Sequence, residues 1–586
     1  MAMQVSVVIA THNRRHLLAH TLPSILEQEY PATDYEIVLV DDGSTDGTTD
    51  YLRALRTQCG LEVIRQEKQG PAAARNAGIA AAGGDLVLFL DDDIRCDAGL
   101  VREHMEGHRA EQGVLVHGAI FLAPESPTTL AAWSTGEWYR SYNAEVEAAG
   151  ELRLKMFLNA NSSLSTAILR DFGGFDETVA FPREDFEMGL RIWKAGVPFR
   201  YRPHAAAYEV FIKPSQAFAR QDAGGWGRAE IAISRKHPDH RPYSVLAPSD
   251  RDTPLRRSAR RIIRRLPRNA ESILDPPVEV MERLMHRPRA RAAGMRLLGL
   301  QVEIVRQRGA REAAGSAHLL EEEFARSLPV FLYHRIGEGP GGLHPGLTVT
   351  PRSFERHVTW LARRGFTGVR PSDWQAWRQG AGRLPPRPVL FTFDDAYAEL
   401  CEFAFPVLRR HGFGALVFVV TGSLGGTNTW DPDGAKEREA RLMTGSQVAK
   451  WSGEGIDFGA HGRTHRDLTG LSATELADEV HGSRHDLEGI VGRPVTCFAY
   501  PFGRHAAVTR EAVAESYELA FTAEPGMNDL RTAPHLLRRS AIGPYETMLD
   551  VEWRARFGRA PLPRVMGEVG IRPLLRRLGG PRQIED

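Results

Sequence analysis

The sequence predicts an α/β protein in two parts: a mostly parallel sheet flanked by helices, then a helical connector, then a distorted (β/α) barrel. Three observations predict it. Short apolar runs alternate with helical spacings from the start of the chain, which is the rhythm of βαβ units. That rhythm restarts near Pro329 after a long arginine-rich stretch. Finally, two apolar runs pass directly into aspartates: Leu86-Val-Leu-Phe-Leu90 into Asp91-Asp92-Asp93, and Val389-Leu-Phe-Thr-Phe393 into Asp394-Asp395. A buried parallel strand that ends in carboxylates delivers them to the carboxyl edge of a sheet, where open α/β folds place their sites. Two such edges, far apart in the chain, predict two active sites.

In the first part, strands are expected at Val5 to Ala10, Glu36 to Val40 and Leu61 to Arg65, with helices at Arg15 to Gln28, Thr48 to Gln58 and from Gly70-Pro71 to Ala82. After about Pro242 the composition changes. Residues 251–268 carry Arg251, Arg256, Arg257, Arg260, Arg261, Arg264, Arg265 and Arg268, broken by Pro254 and Pro267. A solvated helix face explains such a run, and a basic helix that contacts a membrane surface or a polyanion is the sharper reading. The second series begins at Pro329-Val-Phe-Leu-Tyr-His334 and continues at Ala415 to Val420, Asp457 to Ala460, Cys497 to Tyr500 and Leu519 to Thr522. The expected domains are 1–245, a connector 246–327, 328–560 and a tail 561–586.

Composition bounds the function. With 586 residues the chain exceeds one core, and 74 basic residues against 74 acidic ones give no bulk attraction to nucleic acid. The four cysteines form no CxxC pair, so a reducing compartment is expected. The N-terminus lacks a basic segment and reads as a strand, and no apolar run approaches the roughly 20 residues that span a bilayer. A cytoplasmic protein follows, with peripheral membrane contact through the Arg-rich connector as its one route to a lipid surface.

Between the first two carboxylate clusters, Asp41-Asp42 and Asp91 to Asp93, lies Gly70-Pro-Ala-Ala-Ala-Arg75-Asn76, a loop entering a helix. A nucleoside diphosphate needs a hard cation held by oxygens, and gains from a positive charge such as Arg75 and from helix N-termini. A loop acid beside the sugar, as in Phe181-Pro-Arg-Glu184-Asp185, can act as base. Asp41 and Asp46 also suit plain turn and cap roles.

These strings resemble the inverting family 2 glycosyltransferases with the Rossmann-like GT-A fold. They are Val7-Val-Ile-Ala-Thr11-His-Asn-Arg14, Val40-Asp-Asp-Gly-Ser-Thr-Asp46, Asp91 to Asp93, Gly173-Gly-Phe-Asp-Glu177 and Glu184-Asp185. The resemblance implies that Thr11, Asp42 and Asp91 contact the nucleoside, that Asp93 binds Mg²⁺ or Mn²⁺, and that Asp185 deprotonates the acceptor. Where many relatives carry a metal-binding histidine, this chain has Glu209.

In the second part, His461 and His465 share a face if their segment is helical, and an aspartate completes the set. Three protein ligands with an open position describe catalytic Zn²⁺, which activates a water near neutral pH. Asp394 can then take the water proton. The turn Phe498-Ala-Tyr-Pro501-Phe502-Gly503 offers backbone amides to an oxyanion.

This set resembles the NodB-homology polysaccharide deacetylases, carbohydrate esterase family 4, through Leu332-Tyr-His-Arg-Ile336, Phe391-Thr-Phe-Asp-Asp395, the His461/His465 pair and Ala499-Tyr-Pro-Phe-Gly503. It implies Asp395, His461 and His465 as ligands of Zn²⁺ or another divalent transition metal, and Asp394 as base. Two departures stand out. Ala499 replaces an arginine common in the family, and Leu536-Leu-Arg-Arg-Ser-Ala-Ile542 replaces the late motif that carries the general acid, with only His535 nearby.

Together the two resemblances imply transfer of an N-acetylhexosamine, with UDP-GlcNAc as the donor that joins both chemistries. Hydrolysis of its acetamide follows, on a sugar, lipid-linked or small-molecule acceptor. The alternative is one catalytic domain and one carbohydrate-binding or scaffolding module.

Overall fold

The computed structural model describes residues 4–149, 159–179, 181–247, 254–338, 347–430 and 440–559. Two compact units divide it, Met1–His237 with Thr253–Leu320 and Pro238–Asp252 with Glu321–Asp586.

In the first unit, Gly60–Gln66, Tyr35–Asp42, Val5–Thr11 and Leu86–Asp91 lie side by side and parallel. Asn161–Ser165 runs antiparallel to Leu86–Asp91, and Leu115–Leu122, Phe199–Glu209 and Ile94–Cys96 complete the sheet. The apolar runs are continuous because both faces are covered. Val7, Ile9, Ile37, Leu39, Leu88 and Leu90 enter one core, and Val8, Val38, Val40, Val87 and Phe89 enter the other. From Val5–Thr11 the chain moves outward through two strands and then returns to pair on the opposite side as Leu86–Asp91. That reversal is a topological switch point, and a crevice opens at the carboxyl ends of the two central strands. Thr11 and Asp91 stand there, with Ala10 paired to Asp91.

The segment read from sequence as a connector is divided between the units. Its long helix Pro288–Ala314 packs on Ala223–Lys236 at a distance only glycine permits. A Cβ on Gly227 would lie 2.0 Å from the carbonyl oxygen of Arg306. On the basic helix Pro254–Arg265, Arg264 is buried with its Nε 2.9 Å from Gln307 Oε1, and Arg260 lies 3.7 Å from Glu303. Part of the arginine run therefore belongs to internal packing. Arg251 and the tail 561–586 lie outside the described residues. Among the described residues, no helix is long and apolar enough to cross a membrane.

In the second unit, Leu328–Tyr333, Pro388–Phe393, Ala415–Val419, Asp457–Ala460, Cys497–Ala499 and Leu519–Phe521 are parallel neighbours in chain order. Leu537 bridges Phe521, and Ser540–Ala541 pairs with Leu328–Tyr333, so residues 537–541 close the ring. Phe331, Tyr333, Phe391, Phe393, Val417 and Val419 pack into one aromatic-rich core.

Candidate active sites

At the first sheet edge, Asp42 accepts from Gln66 Nε2, Gln69 N and Gly70 N, each at 2.8 Å. Its carboxylate thereby pins the turn that launches the helix Pro71–Ala81. Asp41 accepts from Ser44 N at 2.9 Å and from Thr49 Oγ1, and Asp46 from Arg15 N at 3.2 Å and Thr48 N at 3.1 Å. These two are turn and cap residues. Thr11 Oγ1 donates to Asp92 Oδ2 at 2.7 Å.

Arg75, on that helix, is buried between two carboxylates. Its Nη2 lies 2.7 Å from Asp91 Oδ1 and its Nη1 2.6 Å from Glu184 Oε1. The bridge ties the strand end at Asp91 to the first turn of the helix Glu184–Lys194. Glu184 and Asp185, expected in a loop, lie instead in that helix's first turn, whose three acids suit a helix N-terminus. Asp185 stands beside Glu184 and accepts from Phe186 N at 2.6 Å. Burial, then the Glu184 charge, push Asp185 up to about 7.

Asp93 lies 3.4 Å from Arg14 Nη1. Glu209 belongs to the antiparallel pair that aligns it with Ile94, and it accepts from Tyr139 OH at 2.6 Å. Burial, then Glu209, Asp92 and Asp91, hold Asp93 well above the ordinary carboxylate value. Burial raises Glu209 as well, and Asp91 adds to it. Carboxylate oxygens such as those of Asp93 and Glu209 are the ligand type that a hard cation such as Mg²⁺ or Mn²⁺ takes, with Arg14 the cation beside Asp93 among the described residues.

In the second unit, Asp395, His461 and His465 each offer one ligand atom, all within 4.8 Å of one another and all buried. His461 Nδ1 is 2.8 Å from Ala499 O, which fixes the tautomer and turns Nε2 toward Asp394 and Asp395 at 3.8 and 3.9 Å. His465 Nε2 lies 3.5 Å from Asp395 Oδ1. Burial lowers both histidines, His465 strongly, so both present neutral lone pairs. Two neutral imidazoles and a carboxylate fit a divalent transition metal. The i, i+4 spacing does not arise from a helix, so the shared face has another cause. Residues 461–467 form a loop, and His465 takes a left-handed backbone with φ of 59°.

Asp394 is gripped by a residue the sequence reading missed. Arg539 donates Nη1 to Oδ1 at 2.6 Å and Nη2 to Oδ2 at 2.9 Å. Against the effect of burial, Arg539 and then His461 and His334 bring Asp394 down to about 2. His334 was also missed as a site residue. Tyr333 pairs with Phe393 and Asp394 N donates to Tyr333 O at 3.0 Å, so His334 and Asp394 follow neighbouring strand ends. The string Leu332-Tyr-His-Arg-Ile336 contained it, but the strand register is what sets it beside Asp394. His535 sits elsewhere: its Nε2 is 2.8 Å from Tyr517 O, ahead of the strand Leu519–Phe521, on the amino edge of the barrel. In the turn after Ala499, the amides of Tyr500 and Gly503 donate to Phe521 O and Tyr500 O, so those two are not oxyanion donors. Trp430 and Phe502 flank His465 at ring-centroid distances of 4.8 and 4.6 Å.

Comparison with known proteins separates the two units. The family model "Glycosyl transferase family 2" matches residues 6–172, and "Polysaccharide deacetylase" matches residues 381–520. YxkH of Bacillus subtilis (strain 168), a protein designated a polysaccharide deacetylase, is 26% identical over 235 residues, 40% of this chain and 77% of that protein. The validoxylamine A glucosyltransferase of Streptomyces hygroscopicus subsp. jinggangensis (strain 5008) is 30% identical over 220 residues. That match covers 33% of this chain and 52% of the relative's own length. Among solved structures, IcaB from Ammonifex degensii aligns with 40% of this chain and 97% of its own, at 23% identity and a TM-score of 0.34.

Proposed function

We propose that this chain, which joins a family 2 glycosyltransferase domain to a polysaccharide deacetylase domain, transfers an N-acetylhexosamine from UDP-GlcNAc to an acceptor and hydrolyses the acetamide. The observation that carries the reading is the convergence of Asp395, His461 and His465 beside an ionised, arginine-held Asp394.

For deacetylation, a divalent metal held by Asp395, His461 and His465 supplies Lewis acidity when bound. Asp394, ionised throughout the neutral range, takes the proton of the attacking water. His334, on the adjoining strand end, protonates the leaving amine, the role that the missing late motif leaves open. Trp430 and Phe502 wall the site with aromatic faces suited to the apolar side of a sugar ring.

For transfer, Asp185 removes the acceptor hydroxyl proton. A base near 7 is matched to that step, since it is ionised often enough to act and basic enough to accept. Asp93 and Glu209 would hold Mg²⁺ or Mn²⁺, which neutralises the departing diphosphate. Arg75 holds Asp91 in place beside the nucleoside position, and Thr11 orients Asp92. A single base on the acceptor side supports a one-step displacement, hence inversion.

The test incubates the purified chain with a panel of sugar nucleotides, an acceptor mixture and divalent metals, and follows nucleotide and acetate by mass spectrometry. UDP and acetate released from UDP-GlcNAc are expected. Nucleotide released only from donors without an N-acetyl group would overturn the coupling of the two reactions.

A further inference from the structure

We propose that Glu479 is the positioning residue of the second site, and that its buried carboxylate builds the loop that aims His461 and His465 at the metal. The inference rests on the metal-dependent reading above. The two histidines are four residues apart yet not helical, so no regular hydrogen-bond ladder fixes their spacing. Something else must hold the backbone between them.

Glu479 does so from inside the unit, at 3% exposure. Its Oε2 accepts Arg463 N at 2.7 Å and Thr464 N at 3.1 Å, and its Oε1 accepts the Thr464 hydroxyl. Two consecutive amides converging on one carboxylate oxygen force the tight curl that brings His465 back toward His461. Gly462 is the residue that lets the carboxylate approach. It has φ of 76°, and a Cβ there would meet Glu479 Oε2 at 2.7 Å. The carboxylate comes from a π-helical turn, Asp478–Gly482, set between the helices Ala473–Ala477 and Ser483–Val491. Such wide turns occur often at functional sites, because they displace one side chain from the helical register.

The opposite side of the loop is anchored by backbone, with Thr421 N donating to Gly462 O at 3.2 Å and Gly422 N to Arg463 O at 2.9 Å, and the Arg463 guanidinium adds Nε and Nη2 bonds to Asp486, each at 2.8 Å. The Arg463–Asp486 pair is half-exposed, whereas Glu479 is buried and takes the loop amides themselves. It touches neither ligand atom, so it acts through the loop and is not catalytic.

The experiment measures Zn²⁺ affinity of the full chain by competition with a chromophoric chelator, in excess Mg²⁺. Thermal unfolding and the visible spectrum of the Co²⁺-loaded protein are recorded alongside. Glu479→Ala is expected to weaken Zn²⁺ binding by about 10–100-fold and to alter the Co²⁺ spectrum. Glu479→Gln keeps an oxygen for the two amides and is expected to stay within about threefold of the parent. Thr464→Val, which removes only the hydroxyl donor, reads the same contact without emptying the buried site, with a loss of about threefold or more. Parental affinity and spectrum in Glu479→Ala would overturn the proposal. A parent chain that binds no Zn²⁺ would instead overturn the metal reading itself, and this one with it.

Discussion

Arg539 closes both terminal nitrogens on the carboxylate of Asp394, at 2.6 and 2.9 Å, while its Nε donates to Thr522 O at 2.8 Å. The guanidinium is 1% exposed and lies against the ring of Phe418, inside the closed ring of strands. It comes from residues 537–541, the segment that closes the barrel, so the closing segment also supplies the cation that holds Asp394 ionised.

Arg539→Met is therefore expected to destabilise the second unit by about 3–5 kcal/mol, the cost of leaving a buried charge without its partner. The sign of the pH effect follows. Asp394 is held low, at about 2, so its loss of Arg539 raises the pKa, and the acid limb of acetate release moves to higher pH. Calorimetry and a pH–rate profile check both. An acid limb that does not move contradicts the assignment of Asp394 as base.

Transfer should titrate separately. Asp185 accepts a proton only when ionised, and it is pushed up to about 7 by burial and by Glu184. Nucleotide release is expected to fall as pH drops below about 7, and Asp185→Asn to lower it by about 10²–10⁴-fold with donor binding retained. A flat profile between pH 6 and 8 would contradict the base assignment, because about that window brackets the titration.

The two histidines considered as general acid part company by position. His334→Gln is expected to lower the turnover of deacetylation by about 10²-fold or more while Zn²⁺ is retained, and His535→Gln to change it by less than about twofold. The ring of His535 faces Tyr517 O at the other edge of the barrel. Acetate release and metal content, measured on both variants, decide between them.

A fourth expectation concerns stability. The Ser163 hydroxyl lies 2.8 Å from both His104 Nδ1 and His108 Nε2, inside the first unit. Burial lowers these histidines to about 3 and about 4. Their contribution is complete above about pH 6.5, where both folded and unfolded chains hold them neutral. It is lost as pH falls toward the folded values, since the unfolded chain takes up protons that the folded one refuses. The first unit should lose up to about 1.4 kcal/mol per pH unit for each histidine between roughly pH 6 and 4. His108→Gln should flatten that slope, as read from unfolding temperature against pH.

Much of the fold was legible because continuous apolar strands mark sheets buried on both faces. Leu86 to Leu90 and Val389 to Phe393 are such runs, and both strands end in carboxylates at the sheet's carboxyl edge. The site partners that lay hidden are those brought in by closure and register. Arg539 reaches Asp394 from 145 residues away in sequence, and nothing local in Leu536-Leu-Arg-Arg-Ser marks which arginine turns inward. His334 lay in a string that carried the family resemblance, but the pairing of Tyr333 with Phe393 is what places it beside Asp394. The spacing of His461 and His465 left open whether a helix or a loop brings them together. Here a left-handed His465 and the Glu479 clamp produce the same spacing in a loop. Arg75 read as a positive charge for the diphosphate or as a surface pair, and the structure buries it between Asp91 and Glu184. The basic run near Arg260 read as one solvated face, yet Arg264 is buried against the long helix Pro288–Ala314.

The central claim is that one chain carries two independent active sites. The most direct measurement incubates the parent, Asp185→Asn and Asp394→Asn with UDP-GlcNAc, acceptor, Mg²⁺ and Zn²⁺, and quantifies UDP and acetate in each. Asp185→Asn is expected to lose UDP release yet still deacetylate a preformed N-acetylated product, and Asp394→Asn to release UDP normally but no acetate. If either substitution abolishes both products, or Asp394→Asn leaves acetate release intact, the account is contradicted.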